Sequence, residues 1–198
     1  MIAVFALAAC EGVQEFEEEV DEEIAEGIEH VGEGIERLLP DELFASEELK
    51  RAIREEEGEL DFVYRDVTGR PTVGAGHLVR PEDGLAVGQR ITREQLEKFL
   101  EDDVRLAEDN ARLLARDTPL AQHEFDALVD LVYNVGPGNV SEEKSPALND
   151  ALRRRDYRKI AENLVYTKDA LGRPAGGLVR RSERRRRMFE KGDYGQLR

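Results

Sequence analysis

The sequence predicts an α+β fold, predominantly helical, in which a small β-hairpin lobe and a helical lobe are joined by a long helix. Three observations predict it. Residues 62–66 and 71–75 alternate in polarity on either side of Thr68-Gly69, the pattern of two short strands around a turn. From residue 92 onward, apolar side chains recur at steps of three and four, the spacing of one helix face. Charge is the third: residues 11–48 hold sixteen Asp and Glu against the single basic residue Arg37, whereas residues 49–198 hold 28 acidic and 28 basic side chains. The whole acidic excess therefore sits in residues 1–48, which read as an extension, and residues 49–198 read as the folded domain.

The first ten residues carry no charge, and Leu7-Ala8-Ala9-Cys10 is similar to a lipoprotein box, whose cysteine is lipidated after cleavage. No basic residue precedes the apolar stretch, as an export signal requires, so membrane association is expected only if Cys10 is lipidated. A single cysteine excludes an intramolecular disulfide and offers no zinc cluster. No run approaches 18 apolar residues, the length of an ordinary membrane span. Val13, Phe16, Val20, Ile24, Ile28, Val31, Ile35, Leu38 and Leu39 then form an apolar stripe on an acidic helix, weakened at Gly27, Gly32 and Gly34 and ended by Pro40. Such a stripe needs a cover; the competing reading is a solvated acidic linker. We expect a monomer, with dimerisation through residues 13–39 as the alternative. Removing residues 1–44 is expected to leave the active site assembled.

Ser46 suits the N-cap of a helix whose buried face is Leu49, Ala52 and Ile53, with Gly58 as its stop. Thr92 and Gln95 make a capping box for the connecting helix near 92–112. Thr118-Pro119 is expected to open the next helix, whose core face is Phe125, Leu128, Val129 and Val132 and whose end is Gly136-Pro137-Gly138. Shorter helices are expected around 147–152 and 156–165, and a last one over 177–189.

The chemistry concentrates in residues 57–77. Glu57 closes the first helix, Asp66 follows after eight residues and Thr72 after five more, and the run ends Gly74-Ala75-Gly76-His77. Two carboxyls and a hydroxyl on a helix end and a glycine-punctuated hairpin suit acid/base hydrolysis at a cleft. The duller readings are a solvated acidic run at residues 55–59, a turn aspartate and an ordinary strand threonine. His77 has no second metal ligand nearby in sequence; a structural hydrogen bond, for instance to Asp103, is the expectation.

This stretch resembles the catalytic signature of phage-type lysozymes, the endolysin muramidases of glycoside hydrolase family 24. The resemblance implies a lysozyme-like catalytic domain over 49–198, with Glu57 as general acid and Asp66 and Thr72 holding the attacking water. Gly74, Gly76 and His77 would shape the site. It also implies hydrolysis of the β-1,4 bond between N-acetylmuramic acid and N-acetylglucosamine in bacterial peptidoglycan, with inversion and without cofactor or metal. Such enzymes remain in the cytoplasm of the bacterial host until release to the wall at lysis. The segment 125–136 resembles the family's helix at the cleft wall, which makes Tyr133 and Asn134 candidate sugar contacts. Residues 176–189 resemble its closing helix, which makes Arg181 a candidate for contact with substrate or with the active-site carboxylates. The chain has no Trp, and Tyr166 stands where relatives commonly place one. The alternatives are a non-catalytic peptidoglycan-binding module and a lytic transglycosylase. The six arginines between 180 and 187 raise a nucleic-acid reading, but no aromatic residues interleave with them, and no nucleic-acid partner is expected.

Overall fold

The computed structural model describes residues 35–57, 60–66, 68–166 and 176–195, with Glu57 described through its backbone. The expectations for Cys10, the stripe over residues 13–34 and the stop at Gly58 lie outside these residues. Helix α1 (Glu47–Glu57) leads into strands β1 (Leu60–Arg65), β2 (Pro71–Gly74) and β3 (His77–Leu78). Helices α2 (Arg93–Ala115), α3 (Gln122–Val135), α4 (Pro146–Arg153), α5 (Tyr157–Glu162) and α6 (Gly176–Lys191) follow.

Ser46 caps α1: its hydroxyl accepts from the Leu49 amide at 3.1 Å. Leu49 and Ile53 are fully buried, so the short amphipathic helix is held by its apolar face. The three strands form an antiparallel sheet in sequence order, with Tyr64 opposite Thr72 and Val73 opposite His77. Strand β3 is two residues long, too short for sequence alternation to announce it. At Gly74, with φ +61°, a Cβ would stand 2.8 Å from Leu96 Cδ2. Only glycine combines that conformation with so close an approach to α2. Val63, Val73 and Ile91 make the lobe's own small core, against which Leu96 and Phe99 of α2 pack.

Helix α2 starts where its capping box places it, with Thr92 Oγ1 accepting from the Gln95 amide and Gln95 Oε1 from the Thr92 amide. It runs to Ala115, beyond the expected end. Helix α3 does not open at Thr118-Pro119. The Thr118 hydroxyl instead donates to the Leu152 carbonyl at 2.9 Å, and Leu120 forms a β-bridge with Leu38. The helix begins after Ala121, whose amide is taken by Glu124 at 2.8 Å.

That bridge shows where the compact unit begins. It runs from Arg37, not from residue 49. Arg37 pairs with the buried Glu124 through two hydrogen bonds of 2.8 and 2.7 Å and lies 3.9 Å over the Tyr157 ring. Leu43 is a core residue, and the Ala45 amide donates to Glu108 at 2.6 Å. Removing residues 1–44 therefore removes the Arg37–Glu124 pair and the buried Leu43 side chain, contacts that the charge pattern does not reveal. The acidic run hid this because Arg37 and Leu43 stand among residues whose charge alone suggested solvent.

Comparing two truncations isolates the effect. A chain beginning at Arg37 is expected to exceed one beginning at Ala45 in stability by about 3 kcal/mol, the scale of one buried leucine plus a carboxylate left unpaired. Urea unfolding of the two truncated chains measures the difference.

Candidate active site

The end of α1 is fixed from beneath by charge. Asp130 of α3 has no exposed surface and pairs with three guanidiniums of α6: Arg181 at 3.3 Å, Arg184 at 2.9 Å and Arg185 at 2.7 Å. Burial alone would raise the Asp130 pKa, but Arg181, Arg185 and Arg184 outweigh it and hold the carboxyl well below its usual range. Glu56, next to Glu57 on α1, pairs with Arg184 at 2.6 Å and Arg181 at 3.2 Å. Arg184 also donates to the Ala52 carbonyl, and Arg185 to the Leu164 carbonyl and to Asn134 Oδ1. A run of arginines that reads as a surface patch thus has three members turned inward. Arg186 and Arg187 pair with Glu190 and Asp193 outside the core.

Arg181 is 4 % exposed, which leaves little surface for a sugar to touch. Its place is beside Glu56, Asp130 and the Tyr133 ring, 6.0 Å from its guanidinium, so it positions the site from below. Its reach toward the carboxylates at the end of α1 is observed at Glu56.

A second buried carboxylate anchors the other end of α1. Asp126 accepts from the Ser46 amide (3.1 Å) and hydroxyl (2.6 Å), from Gln122 and from the Tyr194 hydroxyl. Burial raises its pKa despite the Ser46 and Tyr194 hydrogen bonds.

The hairpin turn orders Asp66. One of its oxygens accepts from the Thr68 hydroxyl (2.7 Å), the Thr68 amide (2.8 Å) and the Arg70 amide (2.9 Å). Its other oxygen lies 3.5 Å from the Arg70 guanidinium. The Thr68 hydroxyl, followed by the Arg70 amide, holds this carboxyl below its ordinary pKa. Thr72 is buried and donates its hydroxyl hydrogen to the Arg70 carbonyl at 3.2 Å, which leaves its oxygen lone pairs as acceptors. Because Tyr64 faces Thr72 and Asp66 lies two residues beyond Tyr64, strand alternation puts Asp66 and Thr72 on one face of the hairpin.

The sheet's far turn borders a groove of about 360 Å³, walled by Gly76, Leu78, Tyr133, Asn134 and Pro137. Tyr133 closes its floor by donating to the Ala75 carbonyl at 2.7 Å, a direct tie between α3 and the hairpin lobe. Asp66 and Thr72 stand on the neighbouring hairpin rather than on the walls of this groove. His77 is buried under the same turn, with Nδ1 2.9 Å from Asp103 and Nε2 3.3 Å from Asp83, and its ring stacks 4.1 Å from Phe99. Carboxylates on both nitrogens favour the imidazolium. Burial pushes the pKa down, but Asp103 and then Asp83 outweigh it, and the net shift is upward.

A two-lobed α+β body, with a small hairpin sheet, a long connecting helix and a groove between the sheet's turn and α3, is the architecture of a lysozyme-type hydrolase. Comparisons with known proteins agree. The family profile described as Phage lysozyme matches residues 54–185. The endolysin of Salmonella phage P22 is 33 % identical over 138 residues, 69 % of this chain and 91 % of that protein. The endolysin of Acyrthosiphon pisum secondary endosymbiont phage 1 is 32 % identical, over 70 % of this chain and 92 % of its own length. The solved endolysin from Escherichia coli O157:H7 phage FAHEc1 superposes with a TM-score of 0.66 at 27 % identity, covering 78 % of this chain and 98 % of that one. The chain belongs to the phage lysozyme family, and the enzyme is a glycoside hydrolase of the muramidase type.

Two stability measurements probe this framework. Asp130→Asn leaves three guanidiniums without their shared carboxylate and is expected to cost about 3–5 kcal/mol in urea unfolding. Asp103→Asn tests the His77 pairing through pH. A histidine whose pKa is raised on folding contributes stability below its unfolded value of about 6.5, and loses that contribution as pH rises through the folded value. The variant is therefore expected to lose most against the wild type near pH 5 and least above pH 9.

Proposed function

We propose that this enzyme hydrolyses the β-1,4 bond between N-acetylmuramic acid and N-acetylglucosamine in bacterial peptidoglycan, with inversion at the anomeric carbon. Glu57 is the general acid that protonates the leaving oxygen, and Asp66 with Thr72 holds the water that attacks from the opposite face of the sugar. The observation that carries this reading is the ordering of Asp66. Three donors fix one carboxylate oxygen and keep the group ionised, so the second oxygen, 3.5 Å from the Arg70 guanidinium, is the one that accepts a proton from water. Thr72 suits the water's other hydrogen, because its own proton is already committed to the Arg70 carbonyl. Glu57 ends α1, whose neighbouring Glu56 is locked to α6, so the acid rises from a rigid helix end.

Inversion requires room for that water, with carboxyls roughly 6.5–9.5 Å apart. The Tyr133 and Asn134 side chains on the groove wall suit sugar contacts, an aromatic face and an amide. Gly74, Gly76 and His77 hold the turn that shapes the wall. Release into the wall at host lysis is the matching route of action, supported by the relatives' identity as phage endolysins. The compact domain works as a monomer and takes no cofactor; any membrane attachment would run through a lipidated Cys10.

Glu57→Gln is expected to lower clearing of purified cell walls by at least about a thousandfold while wall adsorption and fold persist. Clearing at the wild-type rate would remove Glu57 from the mechanism. Products decide the rest: fresh reducing ends in the α configuration by NMR signify inversion. An anhydro sugar end by mass spectrometry would instead make the enzyme a transglycosylase.

A further inference from the structure

The hydrogen bonds of the Asp66 turn converge on residue 70, which reaches both members of the proposed water-holding pair. The Arg70 amide donates to Asp66 Oδ1 at 2.9 Å. The Arg70 carbonyl accepts from the Thr72 hydroxyl at 3.2 Å and from the Asp66 amide at 2.9 Å. The two peptide groups flanking one α-carbon therefore set where the Asp66 and Thr72 oxygens stand relative to each other. Pro71 follows and restricts the Arg70 backbone to extended conformations.

The Arg70 side chain is tied down as well. Its Nε donates to Thr68 Oγ1 at 2.9 Å, and the Thr68 hydroxyl gives its own hydrogen to Asp66 Oδ1 at 2.7 Å. A guanidinium only donates, so this chain runs in one direction, from Arg70 through Thr68 to the carboxylate. The guanidinium itself stands 3.5 Å from Asp66 Oδ2, longer than a normal hydrogen bond. Its charge thus lies beside the oxygen that faces the water without occupying it.

We propose that Thr68 and Arg70 are positioning residues for hydrolysis, whose side-chain bond keeps the Asp66 and Thr72 oxygens in register for one water. The inference rests on the roles given to Asp66 and Thr72 above and adds the residues that act through them. Both side chains are exposed, so neither fills the core. Among the described residues, Arg70 is the only cation paired with Asp66, and no helix supplies a substitute. Arg65, at the end of β1, spends its guanidinium on the Gly69 carbonyl at 2.7 Å.

The test is a set of turn variants assayed on purified cell walls, with kcat and KM measured separately. Thr68→Val is expected to lower kcat by about tenfold with KM within about twofold, the effect of one lost hydrogen bond to a charged group. Thr68→Ser keeps the hydroxyl and is expected to hold kcat within about twofold of the wild type. Arg70→Met should cost about threefold, and the double variant should match Thr68→Val rather than the product of the two losses. The acid limb of the kcat profile should move to higher pH in Thr68→Val, because Asp66 loses a donor that favours its ionised form. The alkaline limb, which belongs to the Glu57 acid, should stay. An unchanged kcat in Thr68→Val overturns the inference, as does a loss that falls on KM or that Thr68→Ser shares. Multiplying losses in the double variant overturn the joint role. Asp66→Asn separates this from failure of the underlying reading. It is expected to lower kcat by at least about a hundredfold, and wild-type turnover by it would sink the Asp66 role and the inference together.

Discussion

A carboxylate with no contact with water organises this enzyme. Asp130 gathers three arginines from the last helix, and two of them reach on to Glu56 at the end of the first. Helices α1 and α6 are thereby drawn together at the end of α1. Charges buried this deeply contribute little net stability over a well-packed apolar core, because desolvation offsets most of the attraction. Their value is geometric: a guanidinium with several acceptors at fixed angles tolerates few alternative placements. The arrangement therefore defines where α1 ends more sharply than packing of Leu49 and Ile53 alone.

The two lobes are coupled by a different device. The Tyr133 hydroxyl holds the Ala75 carbonyl, and His77, one turn further, is clasped between acids of α2 and the loop before it. Both contacts grip the same hairpin turn, so the groove's width depends on a few directional bonds near its floor. Asp66 lies at the opposite, more exposed turn of the sheet, and its order comes from local donors within four residues. The proposed site thus combines a locally built hairpin side around Asp66 with a helix end held by residues more than a hundred positions away, as the 132-residue span from Ala52 to Arg184 illustrates.

That contrast explains what the sequence made legible. Local chemistry could be read: the Thr92–Gln95 capping box, the Ser46 cap, the Thr68-Gly69 turn and the glycine at position 74 all follow from neighbours in the chain. The His77–Asp103 pair was also within reach, since a buried histidine without metal partners needs an acceptor. Long-range pairing could not be read. Nothing local distinguishes Arg184 and Arg185 from solvent-facing charges. The available signal was on α3, where Asp126 and Asp130 interrupt an otherwise apolar core face at helical spacing. Aspartates in such places require partners, and the arginine run was the nearest supply. Thr118 misled for a similar reason: its hydroxyl serves a distant carbonyl, and the bridge from Leu38 to Leu120 delays the helix.

Asp126 adds one more property. Its carboxylate is shared by Ser46, which starts the catalytic helix, and Tyr194, near the end of the chain. Together with the arginines of α6, this means that α1 takes its counterparts from one later segment, residues 181–194. A nascent chain halted before that segment carries every proposed catalytic side chain but lacks the partners that seat them. Seating of the first helix is accordingly contingent on α6 and Tyr194, so a chain truncated ahead of them leaves that helix without its charged footing.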